Sequence, residues 1–161
     1  MLKEWCSNMR AVIQRVKNAS VSINGSTVGK CKAGYMILFC AMEGDVEQDI
    51  DLLAKKTVNL RVFEDENGKM NKSILDVDGE ILCISQFTLA ADTKKGNRPS
   101  FINAMEPVGA QKYYEMYCKA LKNNGVKNVE TGEFGADMQV SLTNDGPVTI
   151  IFDTDVWTKK G

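Results

Sequence analysis

Apolar positions along this chain recur with two different periods, and the switch between them predicts its elements. Arg10 to Val16, RAVIQRV, is rich in β-branched residues and predicts a strand. Ser20 to Ile23 and Thr27 to Lys30 flank Asn24-Gly25, a pair that tolerates the positive φ angles of a type I′ turn, so this stretch reads as a hairpin. Tyr35 to Ala41, YMILFCA, is a continuous apolar run of strand length, which predicts a strand buried on both faces. Glu80 to Leu89, EILCISQFTL, reads as a second buried strand. Between them Val46, Ile50, Leu53, Thr57 and Leu60 fall on one helical stripe. Asp45 stands where a cap would, and Gln48 three residues on completes a capping-box-like pair. Glu64 to Gly68, EDENG, is a polar turn, and Ala90 to Ser100 is a polar loop.

A second helix is expected from Pro107, a residue suited to the first helical position. Its apolar face is Ala110, Tyr113, Tyr114, Tyr117, Ala120 and Leu121, and Gly125 supplies its C-terminal cap. Two strands, around Met138 to Leu142 and Val148 to Phe152, close the chain. The order of strands, helix, strand, helix and strands predicts one α/β domain with a mixed sheet and two main helices.

Composition narrows the chemistry. The 161 residues include no histidine, which excludes Ser-His and Cys-His nucleophilic systems and removes the commonest transition-metal ligand. Five cysteines, Cys6, Cys31, Cys40, Cys83 and Cys118, are odd in number and lack CxxC spacing, so reduced and mostly buried thiols are expected in place of disulfides or zinc. No metal and no cofactor are expected. A net charge of −1 lacks the basic footprint of a general nucleic-acid binder, so any RNA contact must be local. No apolar run reaches the length of a membrane span, and the start, MLKEWCSNMR, is not a secretory signal; the cytoplasm is the expected compartment.

Three segments carry candidate chemistry. In Ser85-Gln86-Phe87-Thr88 an apolar strand runs into two hydroxyls and a carboxamide. Such a strand end can leave the core as an ordinary polar turn, or present N–H groups and hydroxyls to an oxyanion. In Asn144-Asp145-Gly146-Pro147-Val148-Thr149 the Asp-Gly pair reads as a hairpin turn, yet Pro147 cannot serve a ladder, and a Gly-Pro bond can be cis. Lys94, Lys95 and Arg98 share a loop with Gly96 and Asn97; they are either a solvated surface or a contact for nucleic-acid phosphates, to which Lys159 and Lys160 could add.

Taken together, MRAVIQRV from Met9, SQFTL from Ser85 to Leu89, GNRPSF from Gly96 to Phe101 and NDGPVT from Asn144 to Thr149 resemble the bacterial and eukaryotic D-aminoacyl-tRNA deacylase family. The resemblance runs from Met9 to about Asp153, and the family's usual start falls at Met9. Residues 1–8 are then extra, either an upstream start or a short disordered arm, ahead of a single domain over residues 9–161. The resemblance implies a homodimer with active sites at the subunit interface and D-aminoacyl-tRNA as the partner. It implies a cis Gly146-Pro147 bond reaching into the other subunit's site, where its carbonyls crowd the place of an L side chain. Arg15 would hold that loop, and Ser85, Gln86, Phe87 and Thr88 would line the pocket for the aminoacyl ester.

With no histidine, backbone N–H near Phe87 and Thr88 is the candidate oxyanion hole, and the substrate's ribose 2′-OH is the candidate base. Thr88 as a nucleophile is the rival, weakened because no base adjoins it in sequence. Selection by steric exclusion predicts tolerance of many D-amino acids and of glycine, including glycyl-tRNA mischarged on tRNA-Ala. Two readings from other classes stand beside this one: a non-catalytic dimeric module that grips an RNA end or small ligand, and a purely structural domain.

Overall fold

Strand β1, Arg10–Ile23, is the spine of the sheet. It was expected as two strands, but the ladder continues through the exposed Lys17 and Asn18. The computed structural model describes residues 8–158. The expected arm therefore lies outside the described residues except for Asn8, whose N–H donates to Asp45 Oδ1 at 2.6 Å. Cys6, Lys159 and Lys160 also lie outside them.

Asn24 (φ 49°) and Gly25 (φ 81°) both take positive φ and turn β1 into β2, Ser26–Cys31. Strand β3, Gly34–Cys40, pairs antiparallel with the first half of β1, from Arg10 opposite Cys40 to Val16 opposite Gly34. Helix α1, Gln48–Asn59, then crosses over, followed by a small hairpin of β4, Phe63–Glu64, and β5, Met70–Lys72. Strand β6, Glu80–Ser85, lies parallel to β3, and β7, Val129–Thr131, parallel to β6. Between these two strands runs helix α2, Pro107–Asn123. Strand β8, Gln139–Asp153, returns antiparallel along the other edge of β1, and a short helix, α3, Asp155–Thr158, follows. The sheet order is β2-β1-β3-β6-β7, with β8 on β1. The sheet curls nearly shut: the Lys30 N–H of β2 reaches Glu130 Oε1 beside β6 at 3.1 Å, and Gly29 abuts the Thr131 carbonyl where no Cβ would fit.

That curl makes two cores. Outside it, Ala11, Ile13, Tyr35, Ile37, Phe39, Ile81 and Cys83 pack against the helices. Tyr117 stacks on Phe39 at 4.9 Å, shares a 2.9 Å hydrogen bond with Thr57, and ties α2 to both sheet and α1. Inside it, Val16, Val21, Met36, Leu82 and Ile84 meet Met138, Val140 and Leu142. Strands β3 and β6 are thus buried on both faces, the reason their sequences lack alternation. Cys31, Cys40, Cys83 and Cys118 are free and buried. Among the described residues no helix is long and apolar enough to cross a membrane.

Three expectations are corrected. Asp45 does not cap α1: Glu47 occupies the cap without a side-chain bond, while Asp45 accepts the N–H groups of Met42 and Asn8. The strand expected from Glu80 to Leu89 stops at Ser85. Gln86 N–H makes a last 2.8 Å bond to Phe39 O; Met42 bridges to Ala104 instead, and Phe87–Ala90 winds into a single 3₁₀ turn. The Asp-Gly segment near residue 145 is no hairpin, because β8 runs on through it along β1.

Gly34 has φ +155°, and a Cβ there would land on the Glu80 backbone where β6 begins. Gly68 also has positive φ, +73°, but faces open space. We expect Gly34→Ala to destabilise by about 3 kcal/mol and Gly68→Ala by about 1 kcal/mol, read as shifts in urea unfolding.

Candidate active site

Parallel strands β3 and β6 end side by side, with Phe39 opposite Ser85. Beyond that point the chain leaves the sheet and opens a cleft of about 630 Å³. Ser85, Gln86 and Phe87 form one wall; Met105, Glu106, Pro107 and Ala110, at the start of α2, form another; Phe134 and Met138 close it from the β7–β8 connection. Phe87 is 56% exposed and meets Phe101 edge-on at 5.1 Å, so two aromatic rings frame the mouth.

The polar equipment of this cleft is mostly backbone. The 3₁₀ turn leaves its first N–H groups without intrahelical acceptors, and among the described residues no hydrogen bond uses the N–H of Phe87 or Thr88. Thr88 does not line the cleft; its Oγ1 lies 2.5 Å from Gln86 Nε2, which donates to it. Glu106 is the one ionisable side chain among the lining residues. Its carboxylate caps α2, accepting Val108 N–H at 2.9 Å and Gly109 N–H at 2.6 Å. Behind Phe87, the Cys40 Sγ sits 3.7 Å from the Phe87 carbonyl. Burial pushes this thiol up to about 11, so it stays protonated and is no nucleophile at neutral pH. Asp45 braces the far wall. It accepts Met42 N–H at 2.6 Å, and Met42 bridges to Ala104 in the cleft. Burial raises the Asp45 carboxyl to about 6, opposed by the two N–H donors.

Gly146, Pro147 and Arg15 form a separate feature. Where Gln14 faces Thr149 and Val16 faces Asn144, the residues Asp145 to Val148 bulge opposite Arg15. The Gly146–Pro147 bond is cis, Gly146 has φ +121°, and both residues are exposed. Arg15 is buried under the bulge. Its Nε donates to the Asp145 carbonyl at 3.1 Å and its Nη1 to the Val62 carbonyl at 2.6 Å, with Asp145 Oδ2 at 3.8 Å from Nε. Within one chain these residues do not line the Ser85 cleft.

Reading the sequence assigned no role to Phe101, Phe134, Met138 or Glu106. Phe101 lay inside a noted segment, GNRPSF, whereas Glu106 caps α2 although glutamate is not among the usual Ser, Thr, Asp and Asn caps, so only its place before Pro107 pointed to it. Phe134 comes from a connection without periodicity and gave no local signal, and Met138 was legible only as the start of a strand.

Fold and cleft define a class: a nearly closed mixed sheet, two helices on its outer face, and a histidine-free cleft at the ends of parallel strands. A family model described as D-Tyr-tRNA(Tyr) deacylase matches residues 12–153, and the chain belongs to that family. A Bacteroides fragilis protein named D-aminoacyl-tRNA deacylase is 59% identical over 146 residues, covering 91% of this chain and 97% of its own. One of that name from Thermosipho africanus is 56% identical with the same coverage. The solved structure of c-Myc DNA Unwinding Element Binding Protein is 41% identical, with a TM-score of 0.83, over 89% of this chain and 97% of its own. A probable eukaryotic D-amino acid tRNA deacylase, 16% identical, shares the fold at a TM-score of 0.78 over 91% of this chain and 99% of its own.

Removing the Arg15 fork leaves two carbonyls short of a charged donor. We expect Arg15→Met to destabilise by about 2 kcal/mol. Amide exchange at Val148 and Thr149 should accelerate well beyond that at Ile81 to Ile84. Uniform acceleration would show that Arg15 supports the core and not the bulge.

Proposed function

We propose that this chain hydrolyses the ester joining a D-amino acid to the 3′-terminal adenosine of tRNA, releasing free tRNA and D-amino acid. The observation that carries this reading is a cleft at Ser85–Phe87, lined by no side-chain nucleophile with a base and adjoined by a turn whose first N–H groups have no acceptor among the described residues, in a member of the D-Tyr-tRNA(Tyr) deacylase family.

An aminoacyl ester is already activated, so positioning and oxyanion stabilisation suffice. The N–H groups of Phe87 and Thr88 receive the carbonyl oxygen as it gains charge, a contribution of about 3 kcal/mol each in well-formed sites. Water attacks the carbonyl carbon, the substrate's ribose 2′-OH relays the water's proton, and the 3′-oxygen leaves carrying it. Gln86 orients Thr88, which acts as a positioning group; with no neighbouring base it is a poor nucleophile. Ser85 and the Phe87 ring hold the ester and the adenosine.

Selection falls to Gly146-Pro147 acting in the site of a second copy of the chain, in a homodimer. The support is that this bulge is exposed, held from beneath by Arg15, and away from its own chain's cleft. Its carbonyls occupy the place of an L side chain, so L esters are refused while D esters and glycyl-tRNA mischarged on tRNA-Ala are accepted. The rival reading is nucleic-acid binding without turnover, favoured by the name of the 41% identical c-Myc DNA Unwinding Element Binding Protein.

Single-turnover hydrolysis of D-Tyr-tRNA and L-Tyr-tRNA, with EDTA present, separates the two. We expect release from the D ester alone, at similar rates for D-Tyr, D-Phe and D-Asp. Thr88→Ala should lose no more than about tenfold, against the roughly 10⁴-fold or greater loss of a deleted nucleophile. Binding of tRNA without release would establish the rival.

A further inference from the structure

The cleft has little charge with which to hold a polyanion. Its one ionisable residue is an acid already engaged in capping α2, and the whole chain carries a net charge of −1. Grip on RNA must then come from outside the cleft, close to its mouth. The polar loop between the 3₁₀ turn and Phe101 meets that requirement. It carries Lys94, Lys95 and Arg98 against a single carboxylate, Asp92. All three cations are exposed, and none forms an ion pair among the described residues. Asp92 is occupied locally: its Oδ1 accepts the Lys94 N–H at 2.9 Å.

The loop is anchored at its base. Asp92 and Ser100 exchange backbone hydrogen bonds of 2.8 and 2.9 Å, closing it like a hairpin. Its first strand continues from the 3₁₀ turn that bears Phe87, and its second leads into Phe101. Both rims of the cleft mouth are therefore tied to this base. Arg98 is three residues from Phe101, at most about 10 Å of chain. A nucleoside seated against the rings of Phe87 and Phe101 at the mouth would lie close to cations at that range.

We propose that the loop over residues 92–100 is the phosphate grip of this enzyme, in which Lys94, Lys95 and Arg98 bind successive backbone phosphates of the tRNA acceptor end. This rests on the proposed deacylase reading and adds to it the element that binds the RNA outside the reacting ester. Phosphate contacts made this way set register and affinity without reading sequence. Each contributes a salt dependence of about −0.7 in log–log slope on single-stranded RNA.

The test uses the variant Lys94→Gln/Lys95→Gln/Arg98→Gln with two substrates, D-Tyr-tRNA and 3′-O-D-tyrosyl-adenosine, which has no phosphate. On D-Tyr-tRNA we expect kcat/KM to fall at least about tenfold and its log–log salt dependence to flatten by about two. On the adenosine ester the variant should match the wild type, and a Lys94→Arg/Lys95→Arg variant should keep wild-type turnover of both. Equal loss on both substrates, or an unchanged salt slope on tRNA, would overturn the proposal. Should the wild type release neither ester, the deacylase reading fails by itself. Fluorescence anisotropy with uncharged tRNA then decides the grip: the same flattened salt slope sustains it, and unchanged binding ends it.

Discussion

Strand β1 has a partner on both edges for most of its length, and the rest of the molecule is arranged around that constraint. Strand β8 runs along one edge, and β3 and then β2 occupy the other. A strand held on both sides cannot slip, so any mismatch in length falls on the partner. The partner here is β8, which pushes Asp145 to Val148 outward opposite Arg15. Arg15 in turn points to the core face, where an unpaired guanidinium would carry a heavy desolvation penalty. The Asp145 and Val62 carbonyls remove that penalty. Bulge and buried cation thus support one another: without the bulge the cation keeps only the Val62 carbonyl, and without the cation the Asp145 carbonyl loses its donor from beneath.

The same spine sets where the cleft opens. Its curl brings β2 toward β7 and encloses the inner core, leaving the ends of β3 and β6 as the place where the parallel ladder stops. The final ladder bond, Gln86 N–H to Phe39 O, uses the last strand donor, and the turn that follows leaves N–H groups without an acceptor among the described residues. A chain without histidine gains donors in this way from topology and not from side chains. The Cys40 thiol behind Phe87 is kept neutral by its burial.

What could be read from the sequence follows how local each cause is. Asn24-Gly25, the apolar run of β3 and Pro107 announce themselves, because a turn type, a two-faced burial and a missing N–H act within a few residues. The stripe of α1 was legible, but its cap was not: Asp45 matches a capping pattern, yet its carboxylate is taken by Asn8, which is remote in sequence. The end of β6 was equally hidden. Gln86 to Leu89 look like strand, yet the parallel ladder ends at Phe39 opposite Ser85, and beyond β3 Met42 bridges to Ala104 instead. Asp145-Gly146 carries a hairpin signal that the ladder with β1 overrides. Of the site, SQFT and the Gly-Pro segment were visible as strings. Phe101, Phe134 and Met138, which give the cleft its shape, join it through long-range packing that no spacing encodes.

An activated ester needs little help to hydrolyse, and this bears on how the two features divide the work in the proposed reaction. The harder task is refusing the abundant L esters. A side chain is poorly suited to that, since it can change rotamer and make room, whereas backbone carbonyls in a bulge that a buried guanidinium holds at Asp145 have far less freedom. Affinity has to be supplied without disturbing that fit. A charge inside the cleft would act on the ammonium of the aminoacyl group, at the very place where its hand is judged. In the proposed reaction, cations on the loop over residues 92–100 would meet a part of the substrate that is the same for every amino acid. They would raise occupancy without biasing the choice made at the ester, leaving discrimination to geometry and grip to charge.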